Sequence, residues 1–189
     1  MEQPKRKFPR SILILAIIAA VFGFGTGIII ILTRPMQNAT GFALPTSVTR
    51  SLALNKPAPD FTLNTLDGKP FTLQETRGKR VLINFWAAWC PPCLSETPDL
   101  VSAYDELRSV GVVFIGIGTQ DETAKLKAFV DDKKVPYIIL DDGDGKIGDR
   151  YAVLGLPTTV LIDSSGIVRK IFTGAVTRQQ VIDEMKKLN

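Results

Sequence analysis

The chain has no histidine and only two cysteines among 189 residues. Without histidine there is no His-assisted acid–base catalysis and no haem ligation by His. A metal site would have only the two thiols and carboxylates to draw on. Aromatic residues make up 8% of the chain, and charge of one sign does not accumulate in its globular part. Residues 1–50 hold six basic side chains (Lys5, Arg6, Lys7, Arg10, Arg34 and Arg50) against Glu2, a local balance of +5. The whole chain carries +4, so the other 139 residues sum to −1. That leaves no basic globular surface for nucleic acid, and nucleic-acid binding is excluded.

The excess positive charge belongs to a membrane signal. Residues 5–10, KRKFPR, precede SILILAIIAAVFGFGTGIIIIL at 11–32, a run of 22 residues without a charge. As a helix this run measures roughly 33 Å, enough for a hydrocarbon core of about 30 Å. Basic residues cluster before it, and Arg34 is the only charge close behind it. The positive-inside rule then places residues 1–10 in the cytoplasm and residues 33–189 outside. The run exceeds the apolar core of a cleaved signal peptide, so an uncleaved anchor is expected. Residues 33–55 are rich in Pro, Thr, Ser and Asn without an apolar period and form a juxtamembrane linker.

From residue 56 to 189 the pattern is that of an α/β domain. DFTLNTLDGKPFTL holds two short alternating runs around Asp67-Gly68, a hairpin signal. VLINFWA at 81–87 and VVFIGIG at 112–118 are apolar throughout, as strands buried on both faces must be. Helical spacing runs from Pro91 to Val110, with Leu94, Leu100, Val101, Tyr104 and Leu107 available for one face. A helix over 121–132, a strand over 135–141 and a small helix over 146–151 are expected next. A hairpin of TTVLID (158–163) and IVRKIFTG (167–174) follows, and Thr177 caps a final helix through Leu188. The order predicts a mixed sheet with helices on both faces.

Both cysteines fall in FWAAWCPPCLSETP, residues 85–98. Cys90 is placed just beyond a central strand and at the start of the next helix, the edge where open α/β sheets put their reactive groups. The free N–H groups and partial positive charge of a helix start favour a thiolate, lowering the pKa below about 8.5. Pro91 suits the first helical position because it has no N–H to leave unpaired. Cys93 lies one turn on, within reach of Cys90. A disulfide closing so short a loop is a poor staple, so the pair points to redox chemistry. GIGTQD (116–121) lacks the third glycine of a nucleotide loop. DDGDGKIGD (141–149) has Lys146 and Ile147 where a calcium loop needs a ligand and a glycine. The first is expected to be the turn that ends a strand, and the second a turn with a helix cap.

FWAAWCPPC resembles the active-site segment of thioredoxins. With APDFTLNTLDGKPFTL before it and LGLPTTVLIDSSGIVRK after it, the chain resembles the membrane-anchored TlpA/ResA-type thiol–disulfide oxidoreductases of the thioredoxin superfamily (AhpC/TSA-redoxin-like). The resemblance covers residues 56–188. It implies a thioredoxin fold with an N-terminal β-hairpin extension, behind one transmembrane helix. It implies Cys90 as nucleophile and Cys93 as resolving thiol, joined as a disulfide in the oxidised enzyme. Pro157 matches the family's cis-proline opposite the CxxC, where the Leu156 backbone is available to an extended substrate chain. Trp89, Pro91 and Pro92 would border the same substrate surface, and Pro98 matches the proline within the family's active-site helix. Glu96, one turn beyond Cys93, matches an acidic residue near the family's cysteines and is a candidate for proton exchange with them. Thioredoxins proper carry a buried Asp where this chain has Asn84, which takes no proton.

The resemblance implies no cofactor and no metal. It implies as partners disulfide-containing exported proteins, such as apocytochrome c in cytochrome c biogenesis, and a membrane electron-donor protein. A monomer is expected. Two other functions compete. A thiol peroxidase of the peroxiredoxin type starts with a similar APDF segment, but its motif needs a threonine where Ala87 stands. A copper-delivery or assembly module of this fold adds a histidine, which is absent.

Protease added to intact cells or spheroplasts should therefore digest residues 60–189. Protection until lysis would refute the topology.

Overall fold

The computed structural model describes residues 53–188. The N-terminal segment 1–10, the apolar run 11–32 and all but the last three residues of the 33–55 linker lie outside them. Among the described residues no helix is long and apolar enough to cross a membrane.

Seven strands form one mixed sheet: β1 (Thr62–Thr65), β2 (Pro70–Thr72), β3 (Val81–Trp86), β4 (Val113–Thr119), β5 (Ile138–Asp142), β6 (Thr158–Ile162) and β7 (Val168–Thr173). Their spatial order is β2-β1-β5-β4-β3-β6-β7. The middle strands β3, β4 and β5 are parallel, while β6 and β7 continue antiparallel on one side and β1 and β2 on the other. Four α-helices cover the sheet: α1 (Pro91–Leu107), α2 (Thr123–Lys133), α3 (Lys146–Arg150) and α4 (Arg178–Lys187). β1 and β2 form an antiparallel hairpin ahead of β3, and β1 pairs with the edge of β5.

β3 is central, flanked by β4 and β6, and all six of its residues are buried. Because side chains alternate along a strand, it supplies two cores. Val81, Ile83 and Phe85 face a cluster with Ile115, Ile117, Leu140, Val160 and Tyr151. The Tyr151 hydroxyl donates to the Pro59 carbonyl at 2.6 Å, which ties the N-terminal approach to this side. Leu82 faces the opposite cluster, with Leu100, Leu107, Phe114, Val181 and Met185. Each such fully buried leucine contributes about 1.5–3 kcal/mol. α1 and α4 meet on that second face. Leu100 and Leu107 are buried there as the helical spacing predicts, whereas Leu94, Val101 and Tyr104 are only half-buried.

The remainder of the second face admits α2. A Cβ at Gly118 would stand 2.4 Å from Leu126 Cδ1, so only glycine lets α2 approach β4 this closely. The expected 121–132 helix begins at Thr123 because Asp121 is used elsewhere, its carboxylate accepting the Ala88 and Glu122 N–H groups. The strand expected over 135–141 begins at Ile138. The 141–149 segment is a turn leading into α3. Buried Asp142 accepts N–H bonds from Ile147 and Gly148 and a hydroxyl bond from Thr119, all at 2.9 Å. Thr177 caps α4 in a reciprocal pair with Gln180.

Candidate functional site

β3 ends at Trp86, and the chain turns through residues 87–89 before α1 begins at Pro91. The turn is held from outside: Asp121 Oδ2 accepts Ala88 N–H at 2.7 Å, and Trp89 Nε1 donates to the Gln120 carbonyl at 3.2 Å. Cys90 is thereby fixed as the N-cap of α1 in an extended conformation. Its sulfur accepts the Cys93 N–H at 3.3 Å, so the first turn of the helix donates directly to it. Cys90 and Cys93 are joined as a disulfide with Cα atoms 5.3 Å apart. The same N–H would stabilise a Cys90 thiolate once the bond is reduced.

The proline pair faces outward, since Pro91 and Pro92 are both exposed. Trp89 is 58% exposed, a large side chain left uncovered beside the disulfide. Trp86 is in the core, packed on Phe129 with ring centroids 5.1 Å apart. On the far side the Leu156–Pro157 peptide is cis. Pro157 is buried, and half-buried Leu156 packs against the cluster that contains both cysteines. Phe85 pairs with Thr158 across β3 and β6, so the end of β6 that follows Pro157 lies beside the end of β3 that leads to Cys90. The structure thus gathers Trp89, Cys90, Pro91, Pro92, Cys93 and Leu156–Pro157 at one end of the sheet.

Glu96 lies one turn into α1 from Cys93 and is only 2% exposed. Each carboxylate oxygen has an N–H donor. Asn84 Nδ2 donates to Oε1 at 2.9 Å, and the backbone N–H of Val176 donates to Oε2 at 2.8 Å. Asn84 also donates to Thr159 Oγ1 at 3.0 Å, which connects Glu96 to β3 and β6 together. Burial pushes the Glu96 carboxyl up from 4.5 to about 7. The Val176 and Asn84 bonds oppose that rise, and the charge of Asp99 adds to it. Tyr137, ahead of β5, is held protonated by its own burial and by the Glu96 charge.

The chain matches the AhpC/TSA family over residues 54–171. It is 32% identical over 162 residues to the thiol-disulfide oxidoreductase ResA of Bacillus cereus, covering 84% of this chain and 94% of that protein. With the Bacillus subtilis ResA it shares 32% over 163 residues, 85% of this chain and 89% of that one. The chain belongs to the AhpC/TSA family and is a thiol–disulfide oxidoreductase. Among solved structures, a thioredoxin-family thiol:disulfide interchange protein from Chlorobium tepidum superposes with TM-score 0.65 at 31% identity, over 72% of this chain and 97% of that one. A secreted disulfide oxidoreductase from Mycobacterium tuberculosis superposes with TM-score 0.63 at 30% identity, over 68% and 96%. The thioredoxin-like fold of the oxidoreductase follows from both.

Three groups at the site escaped the sequence reading. Val176 acts through its backbone, which carries no sequence signal. Asp121 fixes the loop ahead of Cys90 from a segment that looked like a plain strand-ending turn. Asn84 was visible as a replacement for an acid, but not as the donor that holds Glu96.

The shifted carboxyl makes a sign-definite prediction. Folded Glu96 binds its proton more tightly than the unfolded chain does, so its contribution is fully present below about pH 4.5 and is lost as pH rises to about 7. The loss is of the order of 3 kcal/mol. Glu96→Gln removes the titration, at a pH-independent cost of one of the two N–H contacts. Denaturant unfolding of both proteins from pH 4 to 8 should show the wild type losing stability relative to Glu96→Gln across that window. Parallel curves would contradict the buried carboxyl.

Proposed function

We propose that this oxidoreductase works on the extracytoplasmic side of the cell membrane, held there by residues 11–32. It reduces disulfides in exported proteins, apocytochrome c among them, with electrons from a membrane donor protein. The observation that supports the disulfide chemistry most is the Cys90–Cys93 pair at the start of α1, with the Glu96 carboxyl buried one turn beyond it and pushed up by that burial to about 7. An acid of that strength exchanges protons efficiently at neutral pH.

The cycle begins with a reduced pair. Cys90 thiolate attacks one sulfur of the substrate disulfide, forming a mixed disulfide and expelling the other substrate sulfur as thiolate. The substrate chain lies extended against the backbone at Leu156 and over the exposed faces of Trp89, Pro91 and Pro92. Glu96 carboxylate takes the proton from the Cys93 thiol, and the Cys93 thiolate attacks Cys90 Sγ. The second substrate sulfur leaves, so the substrate gains two electrons and the enzyme is left as the Cys90–Cys93 disulfide. A dithiol of the membrane donor then restores the reduced pair. The compartment itself favours disulfides, so the electrons must come across the membrane.

Glu96 has a second effect. Its negative charge opposes thiolate formation nearby, while the helix start promotes it at Cys90. The two sulfurs are thereby given different tasks: Cys90 attacks, and Cys93 waits for the base.

Trapping in the native membrane tests the reading. Cys93→Ser should accumulate mixed disulfides through Cys90 with exported, disulfide-containing proteins, and Cys90→Ser should accumulate none. Equal trapping by the two variants, or partners drawn only from the cytoplasm, would refute it.

A further inference from the structure

Trp86 Nε1 is the one buried side-chain nitrogen or oxygen among the described residues that lacks a hydrogen-bond partner. The residue is 5% exposed. Indole nitrogen only donates, and a buried donor left unpaired costs free energy that native cores seldom accept. Its environment suggests what is missing. Asn84, Trp86, Thr97, Phe129, Tyr137 and Ile139 line a small cavity of about 10 Å³, the least that holds one water.

Gly116 sets how closely the cavity's walls approach β4. This residue pairs with Asn84 across β3 and β4. A Cβ there would stand 3.1 Å from Trp86 Nε1 and 2.7 Å from Ile139 Cδ1. Glycine thus lets Trp86 and Ile139 pack close against β4, and alternation puts Trp86 on the same face of β3 as Asn84. The lining also supplies acceptors. Asn84 Nδ2 uses both hydrogens, on Glu96 and on Thr159, so its remaining capacity is the acceptor Oδ1. Thr97 Oγ1 donates to the Cys93 carbonyl at 2.9 Å, which leaves its lone pairs to accept.

We propose that this cavity binds one ordered water, which accepts the Trp86 indole N–H and donates to Asn84 Oδ1 and Thr97 Oγ1. Such a water makes three hydrogen bonds, the usual number for a buried molecule. It pins Asn84 Oδ1 on the cavity side and so keeps Nδ2 turned to Glu96. Trp86 becomes a positioning residue for Glu96, acting through the water and Asn84. The titratable groups coupled to Glu96 are Asp99 on its own helix and Tyr137 ahead of β5; the two cysteines at the start of α1 are tied as a disulfide and do not titrate. None of these is altered in the test. The water site stands on the cavity alone, and only its consequence for turnover rests on the role proposed for Glu96.

The test uses the oxidised full chain in detergent, labelled with nitrogen-15. The Trp86 indole proton should show a cross-peak to a long-lived water, with the cross-relaxation sign that separates it from proton exchange. Absence of that cross-peak overturns the site. Trp86→Phe removes the donor, and the carbon-13 titration midpoint of Glu96 should then rise by up to about one pH unit, the scale of one weakened bond to a charged group. An unchanged midpoint overturns the positioning role. Gly116→Ala, whose Cβ crowds Trp86 Nε1 and displaces Ile139 from the cavity wall, should abolish the cross-peak and raise the midpoint in the same direction, so the proposal stays falsifiable if Trp86→Phe does not fold. All these measurements are made on the disulfide form without substrate, so they are independent of whether Glu96 serves disulfide exchange.

Discussion

A carboxylate buried inside the active-site helix has to be held by donors, and the pair that holds Glu96 comes from opposite sides of it. Asn84 donates from the middle of β3 and Val176 donates from the loop ahead of α4. The contact therefore fixes α1 against the sheet on one side and against the chain leading into α4 on the other. Without these two bonds, burial would drive the carboxyl still further from its solution value. With them it settles near neutrality. The cost is tolerable because it is confined to one group: the rest of the second face is packed with Leu82, Leu100, Leu107, Val181 and Met185.

The site is a balance between two electrostatic sources of opposite sign. The start of α1 supplies N–H donors to Cys90, and the Cys93 N–H already points at its sulfur. Glu96 supplies negative charge one turn beyond Cys93. A helix start alone would favour thiolate at both sulfurs near it, and a carboxylate alone would suppress it. In the proposed cycle these two sources divide the work: the helix start favours attack through Cys90, and Glu96 is the acceptor for the Cys93 proton. The neutrality of Asn84 matters here, because an acid at that position would put a second buried carboxyl against Glu96 and remove one of its donors.

How much of this was legible in the sequence depends on whether the signal was local. Cys90 and Cys93 were found from spacing and placement at a helix start, and β3 from its unbroken apolar run. Thr177 gave the start of α4 by its side-chain chemistry, and Pro157 was recognised through the segment around it. What escaped depends on partners distant in the chain. The pairing of β1 with β5 brings Asn64 and Thr65 to Asp141 and Leu140, and no periodicity in either segment specifies the other. Glu96 is 2% exposed, and its carboxylate is met by Asn84 of β3 and by Val176 of the loop ahead of α4. A polar residue on a helix looks the same in sequence whether the surface above it is open or covered. The starts of α2 and β5 shifted by two or three residues for a related reason, since Asp121 and the 135–137 segment are used for contacts rather than for continuing an element.

The central claim of the proposed cycle is that Glu96 exchanges protons with the thiols formed when the Cys90–Cys93 disulfide is reduced. The most direct measurement is the reduction potential of the Cys90–Cys93 pair across pH 5 to 9, in the wild type and in Glu96→Gln, by equilibration with dithiothreitol or glutathione buffers. A thiolate in the reduced form raises the pKa of a nearby carboxyl, so reduction should draw a proton onto Glu96 at pH above about 7. The wild-type potential is expected to bend there and fall more steeply than that of the variant. Two parallel curves, separated by a constant offset at every pH, would contradict the account.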